Sequence, residues 1–311
     1  MKLLQSLTKS SANLVKKGTI LGLTVILAAT IAGCSSSSGS TATINLATKG
    51  FAESDILTNA LKLLIENDTK LKTNIVTVDR SILWEALKKK EVDAYVDYTG
   101  TALINILKQA PEFDPQKVYD IVKDEMEKQH QVAVLDPIGF NNTYAFGLRT
   151  DVAEKYGIKT TSELADHAGD LIFGTSDEFL NRPDAWPRVE ETYKLKFKDI
   201  SIMQNPGLML QAMEQKLIDT MIVLTTTSHI AVKPITVLED DKNVFLPYYA
   251  VPLVRDEVLK DHPELKAAIN KLAGKITDSE MQKLNGQVEL EKRPALEVAK
   301  EWLQAQGLIQ K

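Results

Sequence analysis

The sequence predicts an α/β protein built from two similar lobes, and three observations lead to that prediction. The chain has 311 residues, of which 44% are hydrophobic and 25% are charged. This balance is typical of a packed globular protein, and the length suits about two domains. Short strand-like runs alternate with helical runs from residue 44 onward, and one helix-to-strand segment recurs further along the chain.

The alternation begins with residues 44–47, whose apolar character predicts a strand. Residues 54–67 predict a helix, because apolar side chains recur there at helical spacing. The residues that share this face are Ile56, Leu57, Ala60, Leu61 and Leu64. Residues 74–78 again predict a strand, and the tail at 263–311 is helical by pattern. This order of elements is typical of the α/β class.

The recurring segment covers residues 84–99 (WEALKKKEVDAYVDYT) and 210–225 (LQAMEQKLIDTMIVLT), which align without gaps. Identical residues in the two copies include Ala86 and Ala212, Asp93 and Asp219, and Thr99 and Thr225. One interpretation is chance similarity between two amphipathic helices. The other is two lobes that each present the carboxyl end of a strand to a shared cleft, where open α/β sheets bind ligands.

The N-terminus predicts an export signal. Residues 1–17 contain four lysines and no acid, and residues 18–32 form an apolar run that is shorter than the roughly 20 residues of a membrane span. The run ends in IAGC, which resembles a lipobox with Cys34 as the lipidated residue. We therefore expect a lipoprotein signal peptide at 1–33 and a Ser-rich tether at 34–42. Alternatively, Cys34 merely happens to end a cleaved signal peptide. Removing residues 1–33 would lower the formal net charge from −5 to −9.

Several kinds of site are unsupported. Cys34 is the single cysteine, so an intrachain disulfide and a cysteine-based metal site are excluded. The acidic balance argues against nucleic-acid binding. The four histidines have no ligand-pair spacing, and the usual metal, nucleotide and hydrolase motifs are absent. We therefore predict no metal and no cofactor, and an enzyme is unsupported although a serine or carboxylate mechanism stays open.

Tyrosines next to predicted turns suggest a binding cleft. Tyr98 precedes TGT, Tyr144 follows NNT, and Tyr248 follows a proline. Inward-facing tyrosines can hold a quaternary ammonium by cation–π attraction, although each could be ordinary packing. Lys49 and Arg182 could meet a ligand carboxylate, although either could be a plain surface charge.

These residues give the chain a resemblance to a known family. The sequence resembles the osmoprotectant substrate-binding proteins of ABC importers, which bind glycine betaine, carnitine, choline and related compounds. The similarity runs over residues 43–305. It rests on six ordered blocks and a following Pro-Tyr pair: KGFAE at 49–53, YVDYTGT at 95–101, GFNNTYA at 139–145, EFLNRPD at 178–184, NPGLM at 205–209, LEDDK at 238–242, and PY at 247–248.

The resemblance implies a two-lobed, periplasmic-binding-protein-like fold of type II with a hinge. Lobe I would comprise residues 43–143 plus 245–311, and lobe II residues 144–244. It also implies a cage of Tyr98, Tyr144 and Tyr248. Lys49 and Arg182 would take an anionic end, with Thr101 and Asn142 as polar neighbours. The implied partners are a quaternary ammonium ligand, an ABC permease with its ATPase, and the membrane through the lipid anchor, outside the cytoplasm.

One departure concerns the second copy of the repeat. Where relatives carry a further cage tyrosine, this chain has Leu224, and positions 227 and 229 are Thr and His rather than Asp and Arg. Losing one ring removes a cation–π contact worth roughly 0.5–2 kcal/mol and makes the pocket more apolar. A bulkier betaine such as ergothioneine is therefore an alternative, and carnitine and choline stay open. The rival classes are a small-amine enzyme on the same scaffold, with His229 near the site, and a surface adhesin.

Overall fold

The computed structural model describes residues 42–182 and 185–310. The predicted signal peptide, Cys34 and nearly all of the tether lie outside these residues. The described chain forms two five-stranded mixed sheets with helices packed on them, which confirms the predicted α/β class with two similar halves. The predicted lobe boundaries stay a prediction. In the described part of the chain, no helix combines the length and the hydropathy needed to cross a membrane.

The first sheet has the strand order β2-β1-β3-β10-β4. Its strands are β1 (Thr43–Thr48), β2 (Lys72–Thr77), β3 (Ala94–Tyr98), β4 (Val132–Val134) and β10 (Ala250–Arg255). β1 pairs in parallel with both β2 and β3, whereas β10 runs antiparallel to β3 and β4. The carboxyl ends of β1 and β3 therefore lie at the same edge of the sheet.

The second sheet repeats this arrangement in the order β7-β6-β8-β5-β9. Its strands are β5 (Tyr144–Arg149), β6 (Ile172–Thr175), β7 (Asp199–Ile202), β8 (Thr220–Leu224) and β9 (Ile235–Val237). β6 is parallel to β7 and β8, and β5 is antiparallel to β8 and β9. Each strand of one sheet thus has a counterpart of the same direction in the other.

Helices cover both sheets. The strands of the first sheet alternate along the chain with α1 (Ala52–Asp68), α2 (Leu83–Lys88), α3 (Thr99–Thr101) and α4 (Pro115–His130). A π-helical turn (Ala102–Ile106) continues α3. The second sheet carries α5 (Thr150–Tyr156), α6 (Thr161–His167), α7 (Asp177–Asn181), α8 (Trp186–Tyr193) and α9 (Pro206–Glu214). The C-terminal part adds α10 (Asp256–Asp261), α11 (Glu264–Ile269), α12 (Asp278–Glu289) and α13 (Ala295–Ala305), and short 3-10 turns lie at Ala168–Asp170, Ser228–Ala231 and Asn270–Leu272.

The apolar face predicted for the first helix is buried. All five of its residues in α1 are at most 1% exposed, and they pack in one core with α11, α12 and α13. A second core fills the other side of the first sheet, and two further cores lie against the second sheet. Burial of this apolar face, rather than helix propensity alone, fixes α1 on the sheet.

The two copies of the repeat occupy equivalent places. α2 and β3 form the first copy, α9 and β8 the second, and each strand is the middle strand of its sheet. Each strand also begins its parallel pairing at the same position of the repeat, Ala94 opposite Leu46 and Thr220 opposite Phe173. The structure therefore supports the two-lobe interpretation of the repeat over chance similarity.

Candidate ligand-binding site

A cavity of about 1110 Å³ is lined by residues from both halves of the described chain. All eight residues predicted to bind ligand line it: Lys49, Tyr98, Thr101, Asn142, Tyr144, Arg182, Leu224 and Tyr248. These residues come from both sheets and from the connections between them. His229, the candidate for an enzymatic alternative, is absent from the described lining of this cavity.

Two connections between the sheets run side by side next to the cavity. Residues 135–143 join β4 to β5, and residues 238–249 join β9 to β10. The backbone N–H of Asn142 donates to the carbonyl of Tyr248 at 3.1 Å, and the N–H of Tyr248 donates to Oδ1 of Asn141 at 2.7 Å. This pairing holds Asn142 and Tyr248 next to each other at the point where the chain crosses between sheets.

The three predicted cage tyrosines are partly buried and lie at element boundaries. Tyr98 ends β3, Tyr144 begins β5, and Tyr248 lies just before β10. Tyr144 packs edge-on against Phe179, with 5.4 Å between ring centroids. Aromatic contacts of this kind restrict a ring to one orientation, so the cage wall of the second sheet is built on its apolar core.

Gly100 sets the position of Tyr248. A Cβ atom at residue 100 would lie 2.7 Å from the carbonyl oxygen of Pro247 and 2.8 Å from the Tyr248 ring. Both distances are far inside van der Waals contact, so only glycine allows the connection to pack this closely on α3. The sequence signal for this contact is the TGT that follows Tyr98.

Lys49 is paired within the protein. Its Nζ lies 2.6 Å from Oδ1 of Asp97, and both side chains are at most 10% exposed. The same ammonium lies 4.8 Å from the ring centroid of Tyr98. Sequence reasoning treated Lys49 as a cation facing the ligand and gave Asp97 no role. Lys49 keeps two further N–H donors for a ligand, and its role towards an anionic end stays a prediction.

Arg182 lies across the cavity, at the end of α7. Its Nη1 donates to the hydroxyl of Tyr144 at 3.4 Å and lies 3.7 Å from a carboxylate oxygen of Glu178, which is largely exposed. The two residues that follow, Pro183 and Asp184, lie outside the described residues. The guanidinium is therefore positioned beside a cage ring on the wall of the second sheet.

Leu224 occupies the place in β8 that Tyr98 occupies in β3. It lies opposite Tyr144 in the antiparallel pairing and is 42% exposed. An exposed leucine at the last position of a central strand faces the cavity rather than a core. The structure thus places the departure noted in the sequence on the wall of the cavity.

Glu53, like Asp97, is a residue of the site that was not identified from the sequence. It lies in the first turn of α1 and is 2% exposed. Its Oε1 accepts hydrogen bonds from the Tyr98 hydroxyl at 2.5 Å and from Nδ2 of Asn142 at 3.0 Å, and its Oε2 accepts from Nδ2 of Asn285 at 3.1 Å. A signal existed, because an acid in an otherwise buried helix turn needs donors. Asn285, 232 residues away, could not have been paired with it from the sequence.

The tyrosines near these carboxylates are held in the neutral form. Burial raises the pKa of Tyr98 well above its ordinary value, and the charge of Glu53 raises it further. Burial and the neighbouring Asp97 raise the pKa of Tyr95 in the same way. Both side chains therefore stay phenols at neutral pH, so that Tyr98 donates its proton in the bond to Glu53.

The described residues contain no group of three or more His, Cys, Asp or Glu side chains that could hold a metal ion. The arrangement offers rings, amides and paired charges. Such a wall can recognise a small organic cation by contact with aromatic faces and by hydrogen bonding.

Comparison with known proteins gives a consistent result. Residues 42–305 match the family described as the substrate binding domain of ABC-type glycine betaine transport systems. The carnitine transport binding protein OpuCC of Listeria monocytogenes is 37% identical over 266 residues, which cover 84% of this chain and 86% of that protein.

A second relative is the ergothioneine transport permease/ergothioneine binding protein EgtU of Helicobacter pylori strain G27. It is 34% identical over 272 residues, which cover 85% of this chain and 47% of that protein. A crystal structure of a glycine betaine/carnitine/choline ABC transporter chain superimposes with a TM-score of 0.82 at 35% identity, covering 85% of this chain and 99% of the other.

Proposed function

Because this chain belongs to the family of substrate-binding domains of ABC-type glycine betaine transport systems, we propose that it captures a quaternary ammonium compound in the tyrosine-lined cavity. As a member of that family it is a substrate-binding protein of an ABC importer and works outside the cytoplasm. Its ligand is a small molecule, and its partners are the permease and ATPase of the importer. The observation that carries the proposal is one cavity lined by Tyr98, Tyr144 and Tyr248.

In this proposal the cationic head lies among the three rings. A quaternary ammonium has no N–H to donate, so it is recognised by the negative faces of aromatic rings after water is displaced. The carboxylate of a betaine would meet Arg182 and the remaining donors of Lys49, with Thr101 and Asn142 alongside. Recognition involves no chemical step, and the ligand leaves unchanged.

Ligand capture would close the two lobes on each other. The predicted lobes, 43–143 plus 245–311 and 144–244, are joined by the two connections that run beside the cavity. Closure about connecting segments brings rings from both lobes onto one ligand and removes it from water. The closed form would then be the one that docks on the permease.

Carnitine, choline and glycine betaine share the cationic head that this cavity suits. A bulkier betaine such as ergothioneine is the second candidate, and the exposed Leu224 favours it because a leucine leaves more room than a ring. The relative that is named for ergothioneine matches 85% of this chain.

Calorimetric titration with glycine betaine, choline, carnitine and ergothioneine tests the proposal. We expect saturable binding of at least one of these compounds, and loss of tight binding in Tyr98→Ala or Tyr144→Ala. Tyr119→Ala is the matched control, since Tyr119 lies outside the cavity lining. Unchanged affinity in both cage variants would contradict the cage, and turnover of a bound compound would favour an enzyme.

We also propose that the protein is anchored to the cell membrane through a lipid on Cys34, after removal of residues 1–33. The support is the lipobox-like IAGC and the serine-rich segment that follows it. Metabolic labelling with a fatty acid tests this: the label should appear in the native protein and be absent from Cys34→Ser. Equal labelling of both would refute the anchor.

A further inference from the structure

We propose that Glu53 is the counter-charge for the cationic head of the ligand and that it acts through the hydroxyl of Tyr98. This inference rests on the proposed function, because it concerns how the same cavity selects a permanent cation. Glu53 lies behind the cage ring, so we assign it as a positioning and specificity residue that the ligand does not touch.

The donors around Glu53 indicate an ionised carboxylate. Its two oxygens accept bonds from one phenol and two side-chain amides, those of Tyr98, Asn142 and Asn285. An ionised carboxylate accepts without donating, which matches this set of three donors. The residue is 2% exposed, so its charge is shielded from water.

The charge of Glu53 has no cationic partner among the described residues. All three of its hydrogen-bond donors are neutral groups. The neighbouring carboxylate, Asp97, is instead matched by Lys49 at 2.6 Å. Around Tyr98 the first sheet thus places two buried carboxylates, those of Glu53 and Asp97, and one ammonium, which leaves one negative charge there. The other cations of the described lining on this side, Arg80, Lys88 and Lys108, are exposed, so water screens their charge. A buried charge without a partner is costly, and a cationic ligand would offset that cost.

Tyr98 connects this charge to the cavity. Its hydroxyl donates to Glu53 at 2.5 Å while the side chain lines the cavity. A phenol that donates to a carboxylate is polarised towards phenolate, which makes the ring more negative and more attractive to a cation. Lys49 already lies 4.8 Å from this ring centroid, consistent with an electron-rich face.

The opposite wall of the cavity carries a cation. Arg182 lies there beside Tyr144, and its acidic neighbour Glu178 is exposed to water. A zwitterion would therefore bind with its ammonium over the Tyr98 ring, in front of Glu53, and its carboxylate between Arg182 and the two N–H donors of Lys49 that Asp97 leaves. The inferred substrate class is a compound with a permanent cation, with or without an anionic end.

The test compares choline with 3,3-dimethylbutanol, in which carbon replaces the charged nitrogen, and glycine betaine with 3,3-dimethylbutanoate. The quantity measured is the ratio of cation affinity to isostere affinity, by direct and competitive calorimetry. We expect Glu53→Gln to lower this ratio by about tenfold. A merely structural role would weaken both members of a pair equally and leave the ratio unchanged.

Two further variants keep the test decisive. Glu53→Asp retains the charge, so its ratio should stay near the wild-type value even if both affinities fall. Asp55→Asn is the matched control, because it removes a carboxylate from the same turn of α1. The Asp55 carboxylate accepts a hydrogen bond from Thr48 and does not line the cavity. An unchanged ratio in Glu53→Gln, or an equal drop in Glu53→Asp, would overturn the inference. Failure of the wild-type protein to bind any of the four quaternary ammonium compounds tested for the proposed function would overturn that function, and the inference with it.

Discussion

The two copies of the helix-to-strand repeat agree at one end and differ at the other. At the end far from the cavity, Asp93 and Asp219 make equivalent contacts. Each carboxylate accepts the N–H of a residue in the neighbouring strand, Asn45 at 2.7 Å and Ile172 at 2.9 Å, and each pairs with an arginine, Arg255 or Arg149.

The likeness extends to a complete charge cluster. In the first copy Lys90 pairs with Glu257, which also pairs with Arg255. In the second, Lys216 pairs with Asp151, which also pairs with Arg149. Both lysines have positive φ, 64° and 59°. The cluster therefore belongs to the scaffold, where it ties the start of a central strand to the adjacent antiparallel strand.

At the cavity end the copies diverge. Tyr98 and Gly100 of the first copy correspond to Leu224 and Thr226 of the second. Gly100 makes room for the connection that carries Tyr248, whereas the carbonyl of Thr226 accepts a hydrogen bond from Asn285 of α12. The end with Asp93 and Asp219 therefore stabilises the fold in both copies, whereas the end with Tyr98 and Leu224 shapes the cavity and differs between them.

The largest expected effect is on stability, at the shared end. Asp93→Ala should lower the free energy of unfolding by about 3 kcal/mol, because Arg255 and the Asn45 N–H lose a buried acceptor. Asp219→Ala should cost about 2 kcal/mol, since its side chain is more exposed, 18% against 10%. Urea denaturation measures both. Calorimetry on the folded variants should show unaltered ligand affinity, and a loss of affinity with normal stability would break the comparison.

A smaller effect is expected for Gly100→Ala, on binding. The added methyl group would push against Pro247 and the Tyr248 ring, and overpacking of this kind typically costs about 1–3 kcal/mol. We expect affinity for the preferred ligand to fall about tenfold, corresponding to about 1.4 kcal/mol. Gly169→Ala is the control, because a Cβ there would meet no atom within 4 Å. Equal affinities in the two variants would show that the position of Tyr248 is not critical.

The smallest effect is expected for Leu224→Tyr, which makes the second copy resemble the first. A ring at this exposed position of the cavity wall would add one cation–π contact, worth roughly 0.5–2 kcal/mol. Affinity for glycine betaine and choline should rise relative to ergothioneine, as measured by titrating all three into both proteins. If the ranking of ligands stays the same, Leu224 does not set specificity.

Much of the site could be predicted from the sequence because its residues follow short motifs at strand ends. All eight predicted residues line one cavity. In each sheet the carboxyl ends of the parallel strands and the amino end of the antiparallel neighbour, β10 or β5, lie at the same edge. The pairing of Lys49 with Asp97 and the contacts of Glu53 were missed. These bonds join residues that are 45 to 232 positions apart, and no local pattern specifies which donor reaches a buried carboxylate.

By itself, the sequence determined the α/β class, the amphipathic faces, the repeated helix-to-strand unit and the residues near the cavity. The class, the faces and the repeat follow from periodicity and chain order, and the site residues follow from local motifs and the family resemblance that these motifs carry. The tertiary structure alone decided how the charges are matched. It pairs Lys49 with Asp97 and leaves Glu53 with neutral donors, because electrostatic partners depend on distance and burial in the folded chain.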